Sequence, residues 1–240
     1  MKIQVLGSSS RGNGYILTEG NETLVIEAGV SLSEVKKALK FDISGIKGVC
    51  ISHEHGDHAK YIKQYIDAGL TVLALPVVFE KWKIKSHFAK EIEFGKGYRI
   101  GDFAIIPFEA KHDVPCAGYL IIHESYGTIM FLTDTFYSKY TFKDLKLIMI
   151  ECNYSDEILD KNISSGKLPY VMKKRLLTSH IGLDTTIEFL KANDLTKTDA
   201  ILLLHLSDGN SNEKKFIEKV RKQTGIPTYA MDKNQQYNFN

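Results

Sequence analysis

Ile51-Ser52-His53-Glu54-His55-Gly56-Asp57-His58 is the stretch around which the rest of the sequence can be read. An apolar segment, Gly45 to Ile51, precedes it, and an amphipathic one, His58 to Ala68, follows. That context predicts strand, tight turn, helix. At a strand end His53 and His55 point the same way, because side chains alternate with period two. Gly56 then permits a sharp turn that aims Asp57 and His58 at a neighbouring point. Imidazole and carboxylate suit zinc, iron or manganese, and no thiolate is present to impose a soft site. Three histidines and an aspartate in so short a loop exceed what one tetrahedral ion can take. Two adjacent cations are expected, roughly 3.5–4 Å apart as in two-metal hydrolases. The plainer reading is a polar surface turn, but 3 of the chain's 8 histidines fall here.

If the turn holds cations, more ligands are needed, and single polar residues that end apolar runs are the candidates. His112 follows the strand-like run Phe103 to Phe108, within Glu109-Ala110-Lys111-His112-Asp113, and fits as third ligand to the ion of His53 and His55. Asp134 ends the run Thr128 to Leu132, where its two oxygens could bridge two cations. His205 ends Ala200 to Leu204 and is expected to complete a second site with Asp57 and His58. Each alone reads equally well as a capping residue; together with residues 53–58 they form a ligand set. His180, just before a helix starting at Leu183, is read as a group outside that set that binds a scissile phosphate or protonates a leaving oxygen. His87 and His123, in hydrophilic or hairpin surroundings, are read as solvated.

Composition narrows the class. At 240 residues a single domain, 1–240, can bury a substantial core, and 43% hydrophobic with 25% charged residues is ordinary for a soluble globular protein. The opening run Met1 to Gly7 is strand-like, with no leader expected, and no apolar stretch approaches the ~20 residues of a membrane helix. Cys50, Cys116 and Cys152, an odd and scattered set, suggest reduced thiols and a cytoplasmic setting. A net charge of +2 does not announce a nucleic-acid binder. Basic clusters at Lys81–Lys85, Lys173–Arg175 and Lys214–Lys222 read as solvated helix faces that permit a phosphate partner without demanding one.

Along the chain, Ile3 to Gly7 leads into Ser8-Ser9-Ser10-Arg11-Gly12-Asn13-Gly14. This small-residue loop lacks the Gly-Lys-Ser/Thr ending of a P-loop; it is either a turn held by hydroxyls and glycines or a rim that offers backbone N–H groups to substrate. Strands are predicted at Tyr15–Thr18, Thr23–Ala28, Thr71–Leu75, Phe103–Phe108, Gly118–His123, Thr128–Leu132, Leu147–Glu151, Ala200–Leu204 and Thr228–Met231. Helices are predicted from Ser31 or Ser33 to Lys40, at His58–Ala68, from Pro76, and at Ser155–Lys161, Pro169–Leu177, Leu183–Ala192 and Asn212–Gln223. Two batches of strands with flanking helices imply two packed sheets, covered by helices, with the chemistry on loops at one end.

The pattern H-x-H-x-D-H resembles the signature loop of the metallo-β-lactamase-fold hydrolases. Over nearly the whole chain the sequence is similar to their YycJ/WalJ-like branch: Gly7 to Asn13, Pro107-Phe108 through His112-Asp113, Thr133-Asp134-Thr135, Glu151-Cys152-Asn153, Leu168-Pro169-Tyr170, Ser179-His180 and His205 to Asn210. The resemblance implies an α/β (α+β) fold, the four-layer αββα sandwich, with a dinuclear metal centre. It also implies phosphodiester hydrolysis, a 5′ to 3′ DNA exonuclease activity being proposed for the branch, and the ligand roles already assigned. Three departures stand out. The family's first-sheet aspartate is Glu27; the histidine of E-S-N-H-D is Tyr154; and G-H-L-S-N reads Ser179-His180-Ile181-Gly182-Leu183.

The expected function is therefore a dinuclear hydrolase, a phosphodiesterase or nuclease with DNA favoured over RNA, attacking with a hydroxide that bridges the cations. The metals are expected to be zinc, with manganese or iron as alternatives. His53, His55, Asp57, His58, His112, Asp134 and His205 are the expected ligands; His180, with Asp134 or Asp57 steering the attacking proton, is the expected catalytic set. A small-molecule hydrolase acting on a thioester, lactone or cyclic phosphodiester would use the same centre. A flavin-coupled di-iron reductase would need a flavin partner domain. A nuclease with a large inserted domain needs more room than Asp134 to His205 provides, and a binding module without activity has no need of the full ligand set.

Overall fold

The computed structural model describes residues 1–239. In chain order the elements are β1 (Lys2–Gly7), β2 (Gly14–Glu19), β3 (Glu22–Ile26), α1 (Leu32–Ala38), β4 (Ile46–Cys50), α2 (Gly56–Ala59), α3 (Ile62–Asp67), β5 (Val72–Ala74), α4 (Pro76–Lys81) and β6 (Ala89–Glu91). There follow β7 (Tyr98–Ile100), β8 (Phe103–Ala110), β9 (Cys116–His123), β10 (Gly127–Leu132), β11 (Leu145–Glu151), α5 (Asp156–Ser164), α6 (Tyr170–Ser179), α7 (Leu183–Ala192), β12 (Ala200–Leu204), α8 (Glu213–Thr224), β13 (Thr228–Ala230) and β14 (Gln236–Asn238). They build two seven-stranded mixed sheets, ordered β14-β1-β2-β3-β4-β5-β6 and β13-β12-β11-β10-β9-β8-β7. Among the described residues, no helix is long and apolar enough to cross a membrane.

Period-two alternation explains the layers. On β11, Leu147 and Met149 face the first sheet, while Ile148 and Ile150 pack outward with Leu183, Ile187 and Leu190 of α7 and Phe216 and Val220 of α8. β12 repeats the pattern, with Leu202 and Leu204 inward and Ile201 and Leu203 outward. Strands covered on both faces read as unbroken apolar runs, as parallel strands do. Each fully buried Leu, Ile or Phe contributes about 1.5–3 kcal/mol against exposure. Between the sheets, Tyr15 meets Phe131 edge-on at 5.6 Å, and the Tyr119 hydroxyl donates to the Ile51 carbonyl at 2.6 Å. That last bond ties the second sheet to the strand end that carries the histidine-rich turn.

Several expected boundaries shift. The predicted helix His58–Ala68 is two short helices, because Tyr61 leaves helical geometry and its N–H bonds the Ala28 carbonyl instead. Ser31, not Ser33, caps α1, its Oγ accepting from the Glu34 N–H. The edge strands β6 and β14 were not anticipated. Each is three residues long, and β14 exists only through pairing with β1 from the far end of the chain.

Candidate metal centre

Parallel strands deliver their C-terminal ends to one side of each sheet, and the loops there carry the site. Three strands end by switching to left-handed backbone on a non-glycine residue: Glu27 after β3 (φ 67°), Asp134 after β10 (φ 41°) and His205 after β12 (φ 50°). Such a residue is sparsely allowed and is held only where its surroundings insist. Each of the three side chains is buried.

The turn itself is braced from below. The Asn13 N–H donates to the Asp57 carbonyl at 2.7 Å, and the Ala28 N–H to that of His58 at 2.7 Å. Gly29 is obligatory: a Cβ there would lie 1.7 Å from the Asp57 carbonyl oxygen. Within the loop, the Arg11 N–H donates to Ser9 Oγ at 3.3 Å and the Gly12 N–H to the Ser9 carbonyl at 2.9 Å, so hydroxyl and glycine hold this turn against the histidine-rich one.

Three groups of potential ligands result. His53, His55 and His112 form one; His53, His58 and Asp134 a second; Asp134, Glu151, His180 and His205 a third. His112, Asp134 and His205 thus share one cleft with the turn. His205 groups with Asp134, Glu151 and His180, its Nδ1 donating to Asp134 Oδ1 at 2.9 Å, and Asp134 in turn reaches His58. Asp57 stands beside the groups, with its Oδ2 3.5 Å from His58 Nε2. His180, expected outside the ligand set, has its Nδ1 in the third group, where it donates to Glu151 Oε1 at 2.5 Å.

Glu151 is not among the residues expected from sequence, although it ends an apolar run by the same rule that selects Asp134. It is fully buried and also accepts from the Thr135 N–H at 3.1 Å. Glu27 likewise ends Leu24–Ile26; one oxygen takes the Ser52 N–H at 3.2 Å, and the other lies 3.2 Å from His58 Nδ1 without hydrogen-bond alignment. The departures at 154 and 182 are coupled: a Cβ on residue 182 would sit 2.8 Å from the Tyr154 ring, so the larger side chain needs the glycine.

Whether the set fits metal ions can be judged from donors already aimed. His53 Nε2 is buried with no hydrogen-bond partner, an arrangement that costs about 1–3 kcal/mol unless something takes the lone pair. His112 Nδ1–H donates to the Ser179 carbonyl at 2.9 Å, which fixes the tautomer and leaves the Nε2 lone pair facing His55 Nδ1 at 3.3 Å. These nitrogens and the buried Asp134 carboxylate fit a borderline divalent cation such as zinc.

Charge divides the cleft. Burial, reinforced by neighbouring imidazoles, holds His53 well below the ordinary histidine range, and burial also lowers His112. Burial opposes protonation of His58 and His205 too, but the Asp134 carboxylate outweighs it, raising His58 well above that range and His205 to about 10. Conversely, Asp134 is held well below the usual carboxylate range by His205 and His58 despite its burial. His180 is raised by Glu151, again against burial.

Residues 10–146 match the family described as the metallo-β-lactamase superfamily. The chain belongs to that superfamily. It is 26% identical over 237 residues to an exodeoxyribonuclease YycJ from Bacillus anthracis, covering 89% of this chain and 85% of that one. It is 25% identical over 231 residues to an exodeoxyribonuclease WalJ from Streptococcus pneumoniae, covering 88% and 83%. Among solved structures, the metallo-β-lactamase-fold protein YhfI from Bacillus subtilis superposes with a TM-score of 0.78 at 17% identity, covering 99% of each chain. The superfamily implies divalent metal ions, and the His and Asp groups described above can hold them.

Proposed function

We propose that this metallo-β-lactamase-fold hydrolase cleaves phosphodiester bonds in nucleic acid, DNA in preference to RNA, with a two-cation centre in a single domain spanning residues 1–240. The observation that carries the reading is Asp134. Its Oδ2 lies 3.8 Å from His53 Nε2 and 3.1 Å from His58 Nε2, and its Oδ1 2.9 Å from His205 Nδ1, so one carboxylate joins the two ends of the ligand set. In this reading His53, His55 and His112 hold one cation, while His58, His205, Asp57 and the shared Asp134 hold the other. Such a pair supplies Lewis-acid stabilisation of phosphoryl oxygens and lowers the pKa of a water towards neutrality.

The remaining chemistry falls to the chain's own side chains. Nδ1 of His180 is occupied by Glu151, which leaves Nε2 to face substrate. Because Glu151 raises its pKa, His180 stays protonated further into the alkaline range and can donate a proton to the departing oxygen. Asp57, less buried than Asp134 and held below its ordinary range by His58 against the effect of burial, is an ionised acceptor for the attacking proton. The two bacterial relatives, both described as exodeoxyribonucleases, support the choice of substrate.

The test is incubation with end-labelled double-stranded DNA, single-stranded DNA, RNA and bis-p-nitrophenyl phosphate, each with zinc, manganese or iron. Release of nucleotides from DNA is the expected result. Cleavage of the small diester with every polymer intact would overturn the nuclease assignment in favour of a small-molecule hydrolase.

A further inference from the structure

At the end of the sheets away from the centre lies a second cluster, Glu22 at the start of β3, Asp102 in the β7–β8 turn and His123 at the end of β9. One ligand atom from each lies within 4.8 Å of the others. Cys116, at the opposite end of β9, has its Sγ 3.8 Å from His53 Nδ1; at about 3.3 Å per strand residue, the two clusters are about 20 Å apart. We propose that Glu22, Asp102 and His123 bind a divalent cation of the zinc class that pins the first sheet to the second.

His123 carries the case. Read from the sequence as a solvated hairpin histidine, it is instead 93% buried, its ring 4.9 Å from that of Phe103. Its Nε2 is buried with no hydrogen-bond partner. The other nitrogen is accounted for. Ser125 has one hydroxyl proton, and Glu19 Oε1, a pure acceptor, takes it at 3.0 Å. Ser125 holds Nδ1 from two sides, its Oγ at 3.0 Å and its backbone N–H, which donates at 3.4 Å. Nε2 is thus the nitrogen left without a partner, as in a ligating histidine whose second nitrogen is fixed by an outer one, and a cation there displaces any proton it carries.

The carboxylates are also arranged beforehand. Glu22 Oε2 accepts the Asp102 N–H at 2.5 Å. That approach needs Gly101, where a Cβ would lie 2.4 Å from the same oxygen. Lys47 and Arg99 stand 3.6 and 3.4 Å from Glu22 and Asp102. The Arg99 pair is solvent-facing and of small energy, and the Lys47 pair is half-buried and engages only Glu22 Oε1, leaving Oε2 to the cluster. One imidazole with two carboxylates matches zinc better than magnesium or calcium, which prefer all-oxygen sites. Asp102 is exposed, so water can complete the coordination.

The test titrates the chelator-stripped full-length chain with zinc chloride by calorimetry, with bound metal counted by elemental analysis. Asp102→Asn and His123→Gln are each expected to bind one equivalent fewer than the unaltered chain, or to bind it at least tenfold more weakly. Zinc should raise Tm less in Asp102→Asn than in the unaltered chain. Asp134→Ala, by contrast, should keep this equivalent, which separates the proposal from the function assigned to the main cleft. Equal stoichiometry and affinity in the unaltered chain and Asp102→Asn would overturn it. Because Asp102 is exposed, that variant decides the matter even if His123→Gln does not fold.

Discussion

The two halves of the main cleft are built from similar side chains and differ in charge. Around His53 and His112, burial and neighbouring imidazoles favour neutral rings. Around His58 and His205, the carboxylate of Asp134, aided at His205 by Glu151, favours protonated ones. A cation therefore meets open lone pairs in the first half but must displace protons in the second. Asp134 lies 3.8 Å from His53 and 2.9 Å from His205, so the halves are neighbours that share a carboxylate, not copies of one site.

Asp134→Ala is expected to have the largest effect. Both halves lose their common carboxylate, and turnover should fall to background with metal content reduced; retention of full activity would show that the halves do not share it. Next is His180→Ala. With a proton donor removed and the ligands intact, kcat should drop about 10²–10⁴-fold while metal content stays constant. Metal loss in this variant would place His180 among the ligands.

Glu151→Gln sharpens the picture further. A roughly 10–100-fold loss is expected. Because the carboxylate raises the pKa of His180, its removal should move the alkaline limb of kcat to lower pH. An unshifted limb would mean that another group donates the proton. The smallest effect is a pH dependence that separates the halves. His205 is raised from 6.5 to about 10, so its protonation stabilises the metal-free fold fully below 6.5, a contribution lost as pH rises towards 10. Zinc uptake by that half should tighten and release fewer protons over the same window, whereas uptake by the His53 half should hardly change above neutrality. Calorimetry in buffers of different ionisation enthalpy measures both.

Much of the cleft was legible because its parts are local. The turn at residues 53–58 announces itself through spacing alone. Asp134 and His205 are visible as polar residues that terminate apolar runs. Glu27 and Glu151 obey the same rule but look like ordinary strand ends until their left-handed backbone (Glu27) or their buried partners (Glu151) are seen. The split between α2 and α3 was hidden because nothing in the residues near Tyr61 reveals that its N–H is claimed by Ala28. His123 was misread because its hairpin looks polar, while the burial comes from Phe103 on another strand.

The amino-acid order alone determined which residues can ligate, where strands end, and that two sheets bury apolar runs between them, since periodicity and residue chemistry act over a few positions. How the candidate ligands are grouped, which histidines burial and charge favour as neutral or protonated, and that Tyr154 and Gly182 depend on each other emerge only in three dimensions. Those outcomes follow from distances of a few ångströms between side chains tens of residues apart, where burial and Coulomb forces act through space and not along the chain.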